Sequence, residues 1–166
     1  MTIDNWYEKV KGNIGVADKL IIVETDKQVY ELLVKVLPWD GSINFIRKNN
    51  FAGFLFKLSS LDDLYEFEYQ CSNPVFEFID PDLESLRANL LTSIAKFTEI
   101  IGTETYSSHT AGVNSVPDEW ISEQPERYEN AVNSLHAMSD QIVQIYNSLV
   151  KTATRKLGIL PLNMLQ

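Results

Sequence analysis

The stretch Pro125–Leu157 constrains the fold more than any other part of the chain. Tyr128, Val132, Leu135, Ile142, Tyr146, Leu149 and Ala153 follow at alternating four- and three-residue steps, with Ser139 standing in the one gap. An α-helix gathers such positions into a single seam, along which a partner helix can lie. At 1.5 Å per residue this helix is about 50 Å long. Its ends suit its dipole. Ser122 is placed to cap, Glu123 and Glu126 sit at the positive end, and Lys151, Arg155 and Lys156 sit at the negative end. Gly158 is a natural stop, with Pro161 beyond it.

A second helix is predicted over residues 80–101. Asp80 followed by Pro81 is an N-cap with proline at the first helical position. Leu83, Leu86, Leu90, Ile94, Phe97 and Ile101 then recur at three- and four-residue steps up to Gly102. The chain is expected to be mainly α and to form a single helical domain over residues 1–166. Its frame would be two long antiparallel helices packed with shorter N-terminal helices, with at most one small β-hairpin. Residues 102–124 are polar and read as a long irregular connection, which Trp120 would pin back onto the helices. Residues 159–166 are too apolar for a solvated terminus and are expected to dock on the core or on a partner.

The first third is less explicit. Residues 2–13 form a short amphipathic pattern with Ile3, Trp6, Tyr7 and Val10 on one side, which Gly12 and Gly15 should interrupt. Thr25 or Asp26 could cap a helix running to Leu37, and Pro38, Asp40 and Gly41 mark a turn. Residues 51–71 allow two structures. Tyr65, Phe67 and Tyr69 alternate with Glu66, Glu68 and Gln70, which suits a hairpin of 51–58 with 64–71. The competing helix starts near Ser60 and turns Leu61, Leu64, Tyr65 and Glu68 to one face; it is the preferred alternative.

Charge separates classes of function. The net charge is −9, which disfavours direct binding of nucleic acid through phosphate neutralisation. The acidity is local. Asp62, Asp63, Glu66, Glu68, Glu77, Asp80, Asp82 and Glu84 fall in one stretch without Lys or Arg, so it holds eight of the nine net charges. Cys71 is the only cysteine, which excludes a disulfide framework and fits a reducing cytoplasm. Residues 1–11 carry Asp4 and Glu8 and lack the apolar run of a secretory leader, and no apolar run approaches the ~20 residues of a membrane span.

Motifs of catalysis are weak. His136 and Asp140 are one helical turn apart, with Glu129 two turns back, and His109 could add a ligand from the connection. This makes a small metal-dependent hydrolase the least favoured alternative, because an exposed His/Asp pair at that spacing is usually a solvated face. No glycine-flanked serine or glycine-rich phosphate loop is present, and Arg127 and His136 are too far apart for a helical ribonuclease pair. No cofactor or metal is expected.

Two segments carry a resemblance. One is Phe76-Glu77-Phe78-Ile79-Asp80-Pro81-Asp82-Leu83-Glu84-Ser85-Leu86-Arg87. The other comprises Val116-Pro117-Asp118-Glu119-Trp120, Glu123-Gln124-Pro125-Glu126-Arg127-Tyr128 and the helix ending Thr154-Arg155-Lys156-Leu157-Gly158. Over about half the chain this resembles a family of bacterial helical proteins of no assigned function. The resemblance implies two long helices with an irregular connection, and it implies no activity, cofactor or site residue.

The expected function is therefore a non-enzymatic, acidic protein–protein interaction module of the bacterial cytoplasm, such as an accessory, immunity or inhibitor protein of a defence or toxin system. Asp62, Asp63, Tyr65, Glu66, Phe67, Glu68 and Tyr69 are the expected contacts for a protein partner with a basic surface. Carboxylates spaced like phosphates could also imitate nucleic acid. The alternative is a homo-oligomer assembled along an exposed seam of the long helix.

Overall fold

The computed structural model describes residues 3–159, with side chains from Gly15 onward. Among these residues the architecture is mainly α, with six α-helices and one three-stranded antiparallel sheet. The frame is α4 (Pro81–Glu104) packed along α6 (Pro125–Leu157). Ion pairs at both ends show that they run antiparallel. Arg127 Nε donates to Glu104 Oε2 at 2.8 Å at one end, and Lys156 Nζ donates to Asp80 Oδ2 at 2.9 Å at the other.

The α6 seam is filled from within the chain. Val132, Leu135, Ser139, Ile142, Tyr146, Leu149 and Ala153 are all buried, and Tyr128 is half-buried. The Ser139 hydroxyl donates to the Leu135 carbonyl at 2.8 Å, so the polar break is satisfied inside its own helix. Self-association along this seam is thereby overturned, because no seam face is left open.

α1 (Ile3–Val36) is one continuous helix. Gly12 and Gly15 do not interrupt it, although each lowers helix stability by about 1 kcal/mol relative to alanine. Its second half lies antiparallel to α6: the Tyr146 hydroxyl donates to the Leu37 carbonyl at 2.8 Å, and Tyr30 bonds Thr154. Neither Thr25 nor Asp26 caps a helix here. Asp26 sits in mid-helix, fully buried, and accepts from the backbone N–H groups of Ile79 (2.7 Å) and Asp80 (2.9 Å). Those are the residues that lead into α4. Asp80 in turn caps α4, accepting from the N–H groups of Asp82 and Leu83, with Pro81 in the first turn as predicted.

After α1 the chain turns through Trp39–Ile43 into the short α2 (Asn44–Lys48), then reaches β1 (Phe56–Lys57). A 3-10 turn at Leu58–Leu61 leads into α3 (Asp62–Cys71). Residues 64–71 are thus helical, and the hairpin with 51–58 does not form. β1 pairs instead with β3 (Val113–Ser115), which also pairs with β2 (Tyr106–Ser107). Residues 102–124 are therefore not wholly irregular: they carry two strands and α5 (Trp120–Glu123).

Gly102 does not stop α4, which continues to Glu104. Nor does Ser122 cap α6; it lies within α5 and its hydroxyl donates to the Glu119 carbonyl at 3.1 Å. Trp120 does pin the connection. It is buried, with the Arg127 guanidinium 3.8 Å over its ring and Tyr106 edge-on at 5.7 Å. Gly158 ends α6 at φ +65°, the left-handed cap that glycine adopts without strain. Residues 160–166, most of the apolar tail, lie outside the described residues.

Two outcomes follow from these ties. Asp26→Ala leaves two backbone donors without their acceptor and is expected to lower stability by about 3 kcal/mol in urea unfolding, with Asp26→Asn losing less. A loss below about 1 kcal/mol would show that solvent replaces the carboxylate. The second outcome concerns acid. Against the upward pull of burial, Lys156 and the N–H groups of Leu83 and Asp82 hold the Asp80 carboxyl below its ordinary 3.8. A depressed acid stabilises the fold above its unfolded value, and that contribution disappears as pH falls through the folded value. Lys156→Met should accordingly flatten the fall in melting temperature below about pH 4 while changing little at pH 2.

Candidate docking face on α3

α3 owes its position to a reciprocal pair with the turn after α1. The Ser42 N–H donates to Asp63 Oδ2 at 2.7 Å, and the Asp63 N–H donates to Ser42 Oγ at 3.2 Å. Ser42 Oγ also donates to the Ser60 carbonyl at 2.8 Å. The approach is so close that a Cβ on Gly41 would fall 2.0 Å from Asp63 Oδ2. With Asp62 and Asp63 in its first turn, the helix also starts with the charge its dipole favours.

Leu61, Leu64 and Phe67 are the buried side of this element, and Phe67 packs edge-on against Phe76 at 6.0 Å. The buried face is rotated from the one predicted: Tyr65 is turned outward and Glu68 only partly inward. Glu68 accepts from Thr98 Oγ1 of α4 at 3.0 Å. Burial pushes its carboxyl above the ordinary range, and the Thr98 bond opposes this.

The outer side of α3 is Asp62, Tyr65, Glu66 and Tyr69, spaced three, four and seven residues from the first and all exposed. Tyr65 is 42% exposed and Tyr69 71%. Partial burial raises the Tyr65 phenol, and the neighbouring Glu68 and Asp62 carboxylates raise it further, so it stays a hydrogen-bond donor. Beyond the helix, Phe76 and Phe78 point into the core while Val75, Glu77 and Ile79 alternate outward. Val75 is 76% exposed and Ile79 52%. Asp62, Glu66 and Glu77 make no ion pair among the described residues.

The predicted contact set therefore divides. Tyr65, Tyr69, Asp62 and Glu66 share one accessible face. Phe67 is a core residue and is withdrawn as a contact. Asp63 and Glu68 are committed to Ser42 and Thr98. Val75, Glu77 and Ile79, in the segment that follows α3, are also exposed. Their signal is the period-two alternation with Phe76 and Phe78, which places the intervening side chains outside.

The catalytic alternative gains nothing from the geometry. His136 Nε2 accepts from the Phe51 N–H at 3.0 Å, so its lone pair serves the fold. Asp140 is exposed, and His109 is exposed in the turn between β2 and β3, where it lines an open polar cleft with Asp118 and Glu119. No three His, Cys, Asp or Glu side chains among the described residues could jointly hold a metal ion. The Cys71 thiol is pushed up by burial, against the pull of Arg87. No helix among the described residues is long and apolar enough to cross a membrane.

Comparison with protein-family models, curated proteins and solved structures returned no match. The docking face consequently stands on its own geometry. Its mounting is testable: Gly41→Ala should cost about 2 kcal/mol by displacing Asp63 from Ser42. The same substitution in an Asp63→Ala background should cost much less, and equal costs in both backgrounds would show that the close approach is unimportant.

Proposed function

We propose that this protein is a non-enzymatic docking module that binds a basic protein surface through the outer face of α3 and the segment following it. The observation that carries this reading is Tyr65 and Tyr69 standing exposed on the same side of α3 as Asp62 and Glu66, carboxylates without ion-pair partners among the described residues. Exposed tyrosines offer large contact area with a polar tip, while unpaired charge steers a partner of opposite sign. Accessory, immunity and inhibitor roles all fall within this reading.

Imitation of nucleic acid is the weaker form of the same idea. It needs a regular outward array of carboxylates, whereas Asp63, Glu68, Asp80 and Glu84 are engaged by Ser42, Thr98, Lys156 and Arg87. Too few remain to trace a phosphate backbone.

The test is capture of partners from the source organism at low and high salt, followed by titration of the recovered protein. Binding should weaken as salt rises, and Asp62→Lys with Glu66→Lys should reduce it at least about tenfold. Tyr69→Ala should cost about 1–2 kcal/mol of binding without altering the melting temperature. Affinity indifferent to salt and to all three substitutions would remove α3 from the interaction.

A further inference from the structure

Residues 49–54 connect α2 to β1, and among the described residues a single hydrogen bond ties them to another element. The Phe51 N–H donates to His136 Nε2 of α6 at 3.0 Å. Their remaining bonds are local: the Asn49 N–H to the Phe45 carbonyl, the Ala52 N–H to Asn50 Oδ1, and the Gly53 N–H to the Phe51 carbonyl. Apolar packing adds a second hold. The Phe51 side chain is buried, edge-on to Phe56 at 5.4 Å and to Phe97 at 5.8 Å. The seated turn is not fully satisfied, because Asn49 Nδ2 is buried without a partner.

A backbone N–H can only donate, so the ring atom that it faces must be a bare acceptor. That fixes His136 as the neutral imidazole with its proton on Nδ1. A second proton has one place to go, Nε2, where it consumes the lone pair and sets two N–H groups against each other. The Phe51 donor is then unpaired in a residue only 1% exposed, which is costly. No carboxylate among the described residues forms an ion pair with the ring to offset this. The charges on the surrounding elements are Glu129 and Asp140 on α6, Arg47 and Lys48 on α2, and Asp118, which stands against Gly53 in the turn. α4 and β1 meet Phe51 through the rings of Phe97 and Phe56, with Lys96 and Lys57 adjacent in sequence.

We propose that His136 is a pH-sensitive latch: the neutral ring holds the turn at residues 49–54, and the imidazolium releases it. Histidine is the side chain whose charge ordinarily changes between about pH 5 and pH 8. The released state binds one more proton than the latched state, so acid favours release and base restores the bond. Release lets the Phe51 N–H and Asn49 Nδ2 reach water, while the Phe51 ring stays anchored between Phe56 and Phe97. The turn therefore loosens and the body keeps its fold. Phe54 and Leu55, 60% and 62% exposed, lie at its end and change their presentation with it. The latch is independent of the α3 face.

Amide hydrogen exchange of the full chain between about pH 8 and pH 5 tests it, read at Phe51 and corrected for the intrinsic rate at each pH. Phe51 is expected to lose at least about tenfold of its protection as the pH falls, while amides in the middle of α4 and α6 keep theirs. His136→Gln puts an acceptor that does not titrate in this range near the Nε2 position, and it should hold the protection throughout. His109→Gln, in the exposed turn between β2 and β3, should lose protection as the wild type does. Nitrogen NMR of the wild-type ring gives a reading that needs no variant: at about pH 8 the proton is expected on Nδ1. Protection at Phe51 that is equal at both ends of the range would overturn the latch. So would an equal loss in His136→Gln, an absent loss in His109→Gln, or a ring protonated on Nε2 at the alkaline end.

Discussion

Three long helices meet at one node, and the arrangement of the rest follows from it. Asp26 of α1 accepts from the N–H groups of Ile79 and Asp80, Asp80 caps α4, and Lys156 of α6 donates to the Asp80 carboxylate. A fully buried carboxylate is costly unless its oxygens are satisfied, and here each oxygen receives a backbone donor. The requirement acts in both directions. Asp26 is tolerable in the interior only because the entry to α4 is there, and that entry is aligned because Asp26 holds it. α1 runs on through this point rather than starting at Asp26, and its residues 15–21 are exposed.

The opposite end of the frame is held by different chemistry. Arg127 stacks on Trp120 and pairs with Glu104, so one guanidinium joins α6, α5 and α4. The planar group can present a face to an indole and an edge to a carboxylate at once, which a lysine cannot do. Between these anchors α3 is tied to α4 by the Thr98–Glu68 hydrogen bond and held at its start by Ser42 and Asp63. Its outer residues are thus presented on a fixed support, although nothing in the core depends on them.

Much of this was legible in the sequence because it is periodic. The α6 seam, the Asp80–Pro81 start of α4 and the Gly158 stop each depend on neighbours within a few residues. What escaped notice depends on partners far along the chain. Phe56 reads as part of a hairpin with 64–71 until its true partner, Asn114, is known. Asp26 has the composition of a cap, and only Ile79 and Asp80 reveal its role. Gly12 and Gly15 are weak breakers, each costing about 1 kcal/mol relative to alanine, and α1 runs through both. The face of α3 depends on a distant partner in the same way: Phe67 alternates with Glu66 and Glu68 in the sequence, yet the helix turns it toward Phe76.

The acidic block shows why a charge run is a poor guide to a site until its partners are known. Asp80 and Glu84 look like the rest of the run, but Lys156 and Arg87 hold both carboxyls below their ordinary range against the opposing effect of burial. Glu66 has no such cation. α3 carries no basic residue in its last turn, where the helix dipole is negative and a lysine would be stabilising. Arg87, the cation that acts on Cys71 there, already donates twice to Glu84. Selection for stability alone would favour a cation at this end, as surface charges are among the easiest positions to improve. The negative end of α3, which carries the exposed Glu66 and Tyr69, therefore keeps its charge uncompensated by any cation on its own helix.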